Sequence, residues 1–191
     1  QLKGLVLDLR SNPGGLLNEA IKMSNLFIDQ GQEIVFTKGK VKEWDKSYKT
    51  RSTALDTTMP LVVLINRSSA SASEIVSGAI QDLDRGVVLG QRSFGKGLVQ
   101  QTRKLSYNAQ LKVTTAKYYI PSGRCIQALD YSSRDEDGSV GKTPDSLRTE
   151  FKTLVNKRTV YDGGGITPDI EIEPHKYSNI LRSVISKRHI F

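Results

Sequence analysis

The sequence predicts an α/β fold, and three observations carry that expectation. Short apolar runs rich in β-branched residues alternate with segments whose apolar residues recur at helical spacing. One run, Leu61-Val62-Val63-Leu64-Ile65, has no polar position and suits a strand covered on both faces, as in a parallel sheet. The first run, residues 2–9, passes through a glycine turn directly into a helical stripe. At 191 residues, 37% of them hydrophobic, the chain has material for one domain with a sizeable core.

The elements follow in order. Residues 2–9 read as a core strand that begins abruptly, so residues 1–191 are expected to be a single core cut from a longer protein. Arg10-Ser11-Asn12-Pro13-Gly14-Gly15 is a turn, after which Leu17, Ala20, Ile21, Ser24, Phe27 and Ile28 form a helical stripe. Residues 33–38 read as a strand, followed by a polar, basic stretch up to Thr58. Pro60 then introduces the buried strand 61–65. A helix starting near Ser71 carries the stripe Ala72, Ile75, Val76, Ala79 and Ile80. Residues 87–89 are another strand, and Gly90, Gly95 and Gly97 punctuate a loop. Residues 98–105 and 111–120 are expected to pair as a hairpin across Ser106-Tyr107-Asn108. Residues 130–146 read as a polar loop, 147–155 as a helix, 163–165 as a break, Ile170 and Ile172 as a short strand, and 177–190 as a terminal helix. No apolar run approaches the ~18 residues of a membrane span, and no signal peptide precedes the first strand.

Charge narrows the partners. The net charge of +8 is concentrated partly in Lys38, Lys40, Lys42, Lys46, Lys49 and Arg51. No aromatic-interleaved binding motif accompanies it, so the run reads as a solvated basic hairpin, with an acidic or nucleic-acid partner as the alternative. The single cysteine, Cys125, excludes an intrachain disulfide and reads as a packed thiol. No His, Cys and carboxylate cluster has metal-site spacing, and Asp135-Glu136-Asp137 reads as a solvated loop.

The chemistry centres on Ser71 and Lys96. Ser71-Ala72-Ser73-Glu74 before an apolar run is the capping-box pattern, which accounts for the serine as a helix cap. The same position at the positive end of a helix would also stabilise an oxyanion beside a nucleophilic serine. Lys96 lies between Gly95 and Gly97, which lets it approach other backbone closely, and Gln100 offers an amide that could orient an amine without pairing its charge. The only histidines, His175 and His189, lie in a C-terminal segment unlike a catalytic loop. A serine nucleophile would therefore need a lysine base, and an alkylammonium (reference pKa ~10.4) acts as one only when its surroundings favour the neutral amine. Gly90 to Lys96 also satisfies the phosphate-loop pattern, but Gly97 stands where Ser or Thr should follow and a strand replaces the required helix. Asn66-Arg67-Ser68 matches a glycosylation acceptor, a short and unspecific motif.

With these residues in view the chain resembles the C-terminal processing peptidases, or tail-specific proteases. The matching stretches are Leu9 through Gly15, Ser69 through Glu74, Phe94-Gly95-Lys96-Gly97 with Gln100, Tyr119 through Arg124, and Gly165-Ile166-Thr167-Pro168-Asp169. The resemblance implies a ClpP/crotonase-like core of mixed sheet and flanking helices, and a serine endopeptidase cleaving near protein C-termini. It implies Ser71 as nucleophile, Lys96 as general base and Gln100 as the residue orienting Lys96. The backbone N–H of Ala72 and one from Gly14 or Gly15 would form the oxyanion hole. It further implies a protein or peptide substrate, no metal or organic cofactor, no nucleic acid partner, no membrane insertion, and a cell-envelope or periplasmic setting. The family usually carries a PDZ domain before the core, for which residues 1–191 have no room. Two rivals stay open: a non-catalytic module binding peptides or an acidic partner, and a crotonase-like acyl-CoA enzyme.

Overall fold

Two four-stranded sheets flank a central helix in the computed structural model, which describes residues 2–131, 137–174 and 178–186. The first sheet contains β1 (Leu5–Asp8), β4 (Leu61–Ile65), β5 (Val87–Gly90) and β10 (Ile170–Glu171) in the order β1-β4-β5-β10. Every pairing in it is parallel. Parallel neighbours need crossover connections rather than hairpins, and α2 (Ala72–Asp82) supplies the one between β4 and β5. Leu61, Val63 and Ile65 are buried while Val62 and Leu64 are half-buried, so the all-apolar run is a central strand covered on both faces.

The second sheet is antiparallel, with β2 (Glu33–Gly39), β3 (Lys46–Lys49), β6 (Leu98–Lys104) and β7 (Gln110–Tyr119) in the order β3-β2-β7-β6. The β6–β7 hairpin closes where the turn residues predict, with Tyr107 and Asn108 both at φ 57°. Between β2 and β3 the basic stretch also forms a hairpin, its tip a single 3-10 turn at Lys42–Trp44.

Helix α2 is buried along its whole length and touches α1 (Leu17–Asn25) and a strand of each sheet. Burying Ile75 and Ile80 there contributes roughly 1.5–3 kcal/mol each. Its polar residues need partners, and they have them. The Ser77 hydroxyl donates to the Ser73 carbonyl, and Asp82 pairs at 2.8 Å with the buried Arg124 guanidinium. That ion pair ties the end of α2 to the chain leaving β7. Removing either partner alone would leave an uncompensated buried charge.

Two expectations are corrected. Residues 147–155 do not form a helix; β8 (Glu150–Lys152) pairs instead with β9 (Thr159–Tyr161). The intervening turn finds its backbone partners on the end of α2. Leu154 N–H donates to the Asp82 carbonyl, and the N–H groups of Val155 and Asn156 donate to Asp84 Oδ2 at 2.9 and 2.8 Å. These tertiary bonds replace the internal ladder a helix would have offered, and no local pattern announces them. Helix α1 likewise ends at Asn25, before Phe27 and Ile28 of its expected stripe. The Asn25 carboxamide stops it, accepting from the N–H groups of Arg51 and Ser52 and donating to the Ile28 and Ser52 carbonyls. The terminal helix α3 covers Asn179–Ser186. Residues 177 and 187–190 of its expected span, His175, His189, Asp135 and Glu136 lie outside the described residues.

Candidate active site

The site is assembled by three loops, each at the C-terminal end of a strand or the start of the next element. The first is the turn after β1. The Asn12 side chain accepts the Gly14 N–H at 2.9 Å, a local turn that brings the backbone round sharply. Gly14 has φ +94°, and a Cβ there would lie 2.6 Å from the Ala70 carbonyl oxygen and 2.7 Å from the Ala72 nitrogen. Only glycine lets the turn come this close to the loop that carries Ser71. Asn66 reinforces the approach: its Oδ1 accepts the Ser11 N–H at 2.9 Å and its Nδ2 donates to the Ser11 hydroxyl.

The second loop carries the three serines, and its hydrogen bonds separate them. Ser69 is fully buried and its hydroxyl donates to the Leu9 carbonyl at 2.8 Å. The Ser73 hydroxyl donates to the Asn12 carbonyl at 3.1 Å. Both therefore tether this loop to the β1 turn. Ser71 and Glu74 stand in capping-box relation, but the Ser71 hydroxyl makes no directed cap bond, and the Glu74 N–H goes to the Ser71 carbonyl at 2.9 Å. Ser71 is also backbone-strained, at φ 56° and ψ −116°. A non-glycine residue there costs about 1–3 kcal/mol, and such strain gathers where a side chain must be presented. Half-buried at the N-terminus of α2, Ser71 presents its hydroxyl beside the positive end of the helix.

The oxyanion donors named from sequence lie at this junction. Among the described residues neither Ala72 N–H nor Gly15 N–H has a protein acceptor, whereas Gly14 N–H is taken by Asn12. Of the two glycines, Gly15 is the one with a free donor. Beside them a cavity of about 150 Å³ is walled by Leu9, Leu16, Ala20, Met23 and Val76.

The third loop precedes β6 and carries Lys96. Glu74, read from sequence as half of a cap, is what joins it to Ser71. Its fully buried carboxylate accepts four hydrogen bonds. Oε1 takes the Ser93 hydroxyl at 2.5 Å and the Gly95 N–H at 2.6 Å, while Oε2 takes the N–H groups of Ser71 and Lys96, each at 2.8 Å. The backbone nitrogens of Ser71 and Lys96 thus share one oxygen atom. Burial pushes the Glu74 carboxyl up from the ordinary glutamate range, against the hydrogen bonds from Ser93, Lys96, Gly95 and Ser71 that favour its charged form. Ser93 also accepts the Ile166 N–H at 2.6 Å, so the segment around Gly165 backs the same loop.

The side chains of Lys96 and Gln100 are exposed. Among the described residues Lys96 Nζ has no carboxylate partner and is not hydrogen-bonded to Ser71 or Gln100. Gln100 Nε2 donates to Thr114 Oγ1 at 3.3 Å instead. A second cavity, of about 300 Å³, opens beside Lys96 and Gln100. The half-matched phosphate loop leads into β6 rather than a helix, and burial pushes the Cys125 thiol up, away from reactive thiolate. The part that sequence reasoning missed was the clasp: Glu74 was visible as a cap, but nothing local tied it to Ser93, Gly95 and Lys96.

Comparison with known proteins gives a consistent result. Residues 1–133 match the profile of peptidase family S41. A carboxy-terminal-processing protease of Bartonella bacilliformis is 49% identical over 129 residues, covering 68% of this chain and 30% of that protein. A probable CtpA-like serine protease of Staphylococcus epidermidis is 45% identical over 128 residues, covering 65% of this chain and 26% of that one. The chain thus spans less than a third of the length of either relative. Among solved structures, a photosystem II D1 C-terminal processing protease superposes with TM-score 0.67 at 29% identity, covering 97% of this chain and 38% of its own.

Proposed function

Because the chain belongs to peptidase family S41, we propose that it is the catalytic core of a serine endopeptidase acting near protein C-termini through Ser71 and Lys96. The observation that carries this reading is the shared Glu74 oxygen, which anchors the backbone of nucleophile and base together. The neutral Lys96 amine takes the Ser71 proton as Oγ attacks the scissile carbonyl. The oxyanion that forms is held by the N–H groups of Ala72 and Gly15. The Lys96 ammonium returns the proton to the leaving amine as the C–N bond breaks, and the acyl group stays on Ser71. Lys96 then deprotonates a water that releases it. Gln100 orients the lysine once its side chain turns inward, and the small apolar cavity beside Gly14 takes the side chain preceding the scissile bond. The family resemblance is the ground for proposing a bacterial cell-envelope setting; no described helix is long and apolar enough to cross a membrane.

The test is cleavage of peptide and tagged-protein substrates by the intact protein. Ser71→Ala or Lys96→Ala should each lower kcat/KM by ~10⁴-fold or more without changing the folded structure, and undiminished proteolysis in either would end the dyad reading. The exposure of Lys96 and Gln100 favours one rival, a peptide-binding module. That rival predicts peptide binding with no turnover at all.

A further inference from the structure

Apart from the cavity beside Gly14, a cleft of about 770 Å³ lies on the second sheet, lined by Lys38, Lys40, Lys42, Lys117, Leu98 and Gln100 among others. It is continuous with the site. Leu98, Gln100 and Tyr131 line both this cleft and the cavity that holds Lys96.

Its charge is built at a local cost. Lys38 on β2 stands directly opposite Lys117 on β7 in the antiparallel register, and like charges in that position destabilise a sheet. Lys40 and Lys42 follow on the hairpin tip. None of the four has a carboxylate partner among the described residues, although Glu43 and Asp45 are on the same hairpin. Asp45 is instead spent on backbone, accepting the Gly39 N–H at 2.8 Å. The Lys38 ammonium lies over the rings of Phe36 and Tyr119, 4.9 and 5.4 Å from their centroids, which holds it on the cleft face. Four exposed ammonium groups, without carboxylate partners among the described residues, around a concave surface make a receptor for carboxylates.

Resting on the peptidase reading above, we propose that this cleft binds acidic side chains of the substrate on the Gln100 side of the scissile bond. The connection has a length. Leu98, two residues or ~7 Å after Lys96, stands opposite Lys117, and Lys117 opposite Lys38; directly opposed residues on neighbouring strands share a face ~4.8 Å apart, so an extended peptide crossing that face over Leu98 reaches both lysines a few residues from the cut. The basic hairpin thereby becomes a specificity element, selecting sites with Asp or Glu near the cleavage point.

The experiment compares two fluorogenic peptides that differ only in a block of three Glu or three Gln residues, placed on either side of the scissile bond, with the intact protein. With the Glu block on one side only, kcat/KM should exceed that of the Gln peptide by about tenfold at low salt, from several exposed ion pairs acting together, and the ratio should shrink as salt is raised. Lys38→Gln/Lys117→Gln should collapse the ratio toward one, and Lys38→Glu/Lys117→Glu should invert it, while Lys152→Gln on a remote strand should leave it as it was. Equal rates for the two peptides, or a ratio that survives the double substitution, would overturn the proposal. So would a double variant that keeps the peptide ratio but loses binding to phosphatidylserine vesicles or to an oligonucleotide, since the cleft would then serve a membrane or nucleic acid. If no peptide is cleaved, the peptidase reading has failed. Anisotropy of the labelled Glu and Gln peptides on Ser71→Ala still tests the cleft, and equal affinities there would overturn it.

Discussion

Ser71 and Lys96 hang their backbone nitrogens on the same carboxylate oxygen, yet their side chains occupy very different surroundings. The Ser71 half is fixed. Its loop is stitched to the β1 turn by Ser69, Ser73 and Asn66, its backbone is strained, and two free N–H groups stand beside it. On the Lys96 half only the backbone is fixed, while the amine and the Gln100 amide face solvent. On the proposed reading, the contrast teaches that the oxyanion donors would be preorganised and the base would not. Activation of Ser71 by Lys96 would then depend on a side-chain rearrangement that substrate, or further chain packed over the site, would bring about.

Substitutions can break each half separately. The largest effect on stability is expected at the joint. Glu74→Ala leaves four donors without their acceptor, the two from Ser93 and Gly95 buried, and should lower stability by roughly 3–5 kcal/mol and activity by ~10²-fold or more, read by urea unfolding and peptide cleavage. Unchanged activity with lowered stability would mean that the clasp is merely structural. On the preorganised side, Gly14→Ala should reduce kcat by ~10²-fold, because the added carbon displaces the turn that carries the Gly15 donor. Gly31→Ala is its control: φ is +86° there too, but the space is open, so a stability loss of about 1 kcal/mol with normal turnover is expected. On the exposed side, Gln100→Ala should cost about tenfold in kcat with KM nearly unchanged, and its pH profile should move, since the lysine would lose its proposed orienting partner. The last change in stability is a small gain. Ser71→Gly relieves a positive-φ strain and should raise stability by ~1 kcal/mol while abolishing activity.

How much of this was legible in the sequence follows the same division. The parallel core strands were visible because Leu61 to Ile65 has no polar position, and the β6–β7 hairpin because Tyr107 and Asn108 sit between two alternating runs. The β8–β9 hairpin was read as a helix because its turn is held by Asp82 and Asp84, some seventy residues away in sequence. At the site, Ser71, Lys96 and the glycine turn stood out as motifs. The Glu74 clasp did not, since a carboxylate three residues after a serine is fully explained by a cap, and only the fold brings Ser93 and Gly95 to its other oxygen. Pattern reports what a segment does within itself; here the decisive bonds run between segments.

The most direct measurement is labelling of the intact protein with a serine-directed fluorophosphonate, followed by mass-spectrometric mapping of the adduct. The account predicts a single adduct on Ser71, absent in Ser71→Ala and formed at least ~10²-fold more slowly in Lys96→Ala. An adduct on another serine, or equal labelling rates with and without Lys96, would contradict it.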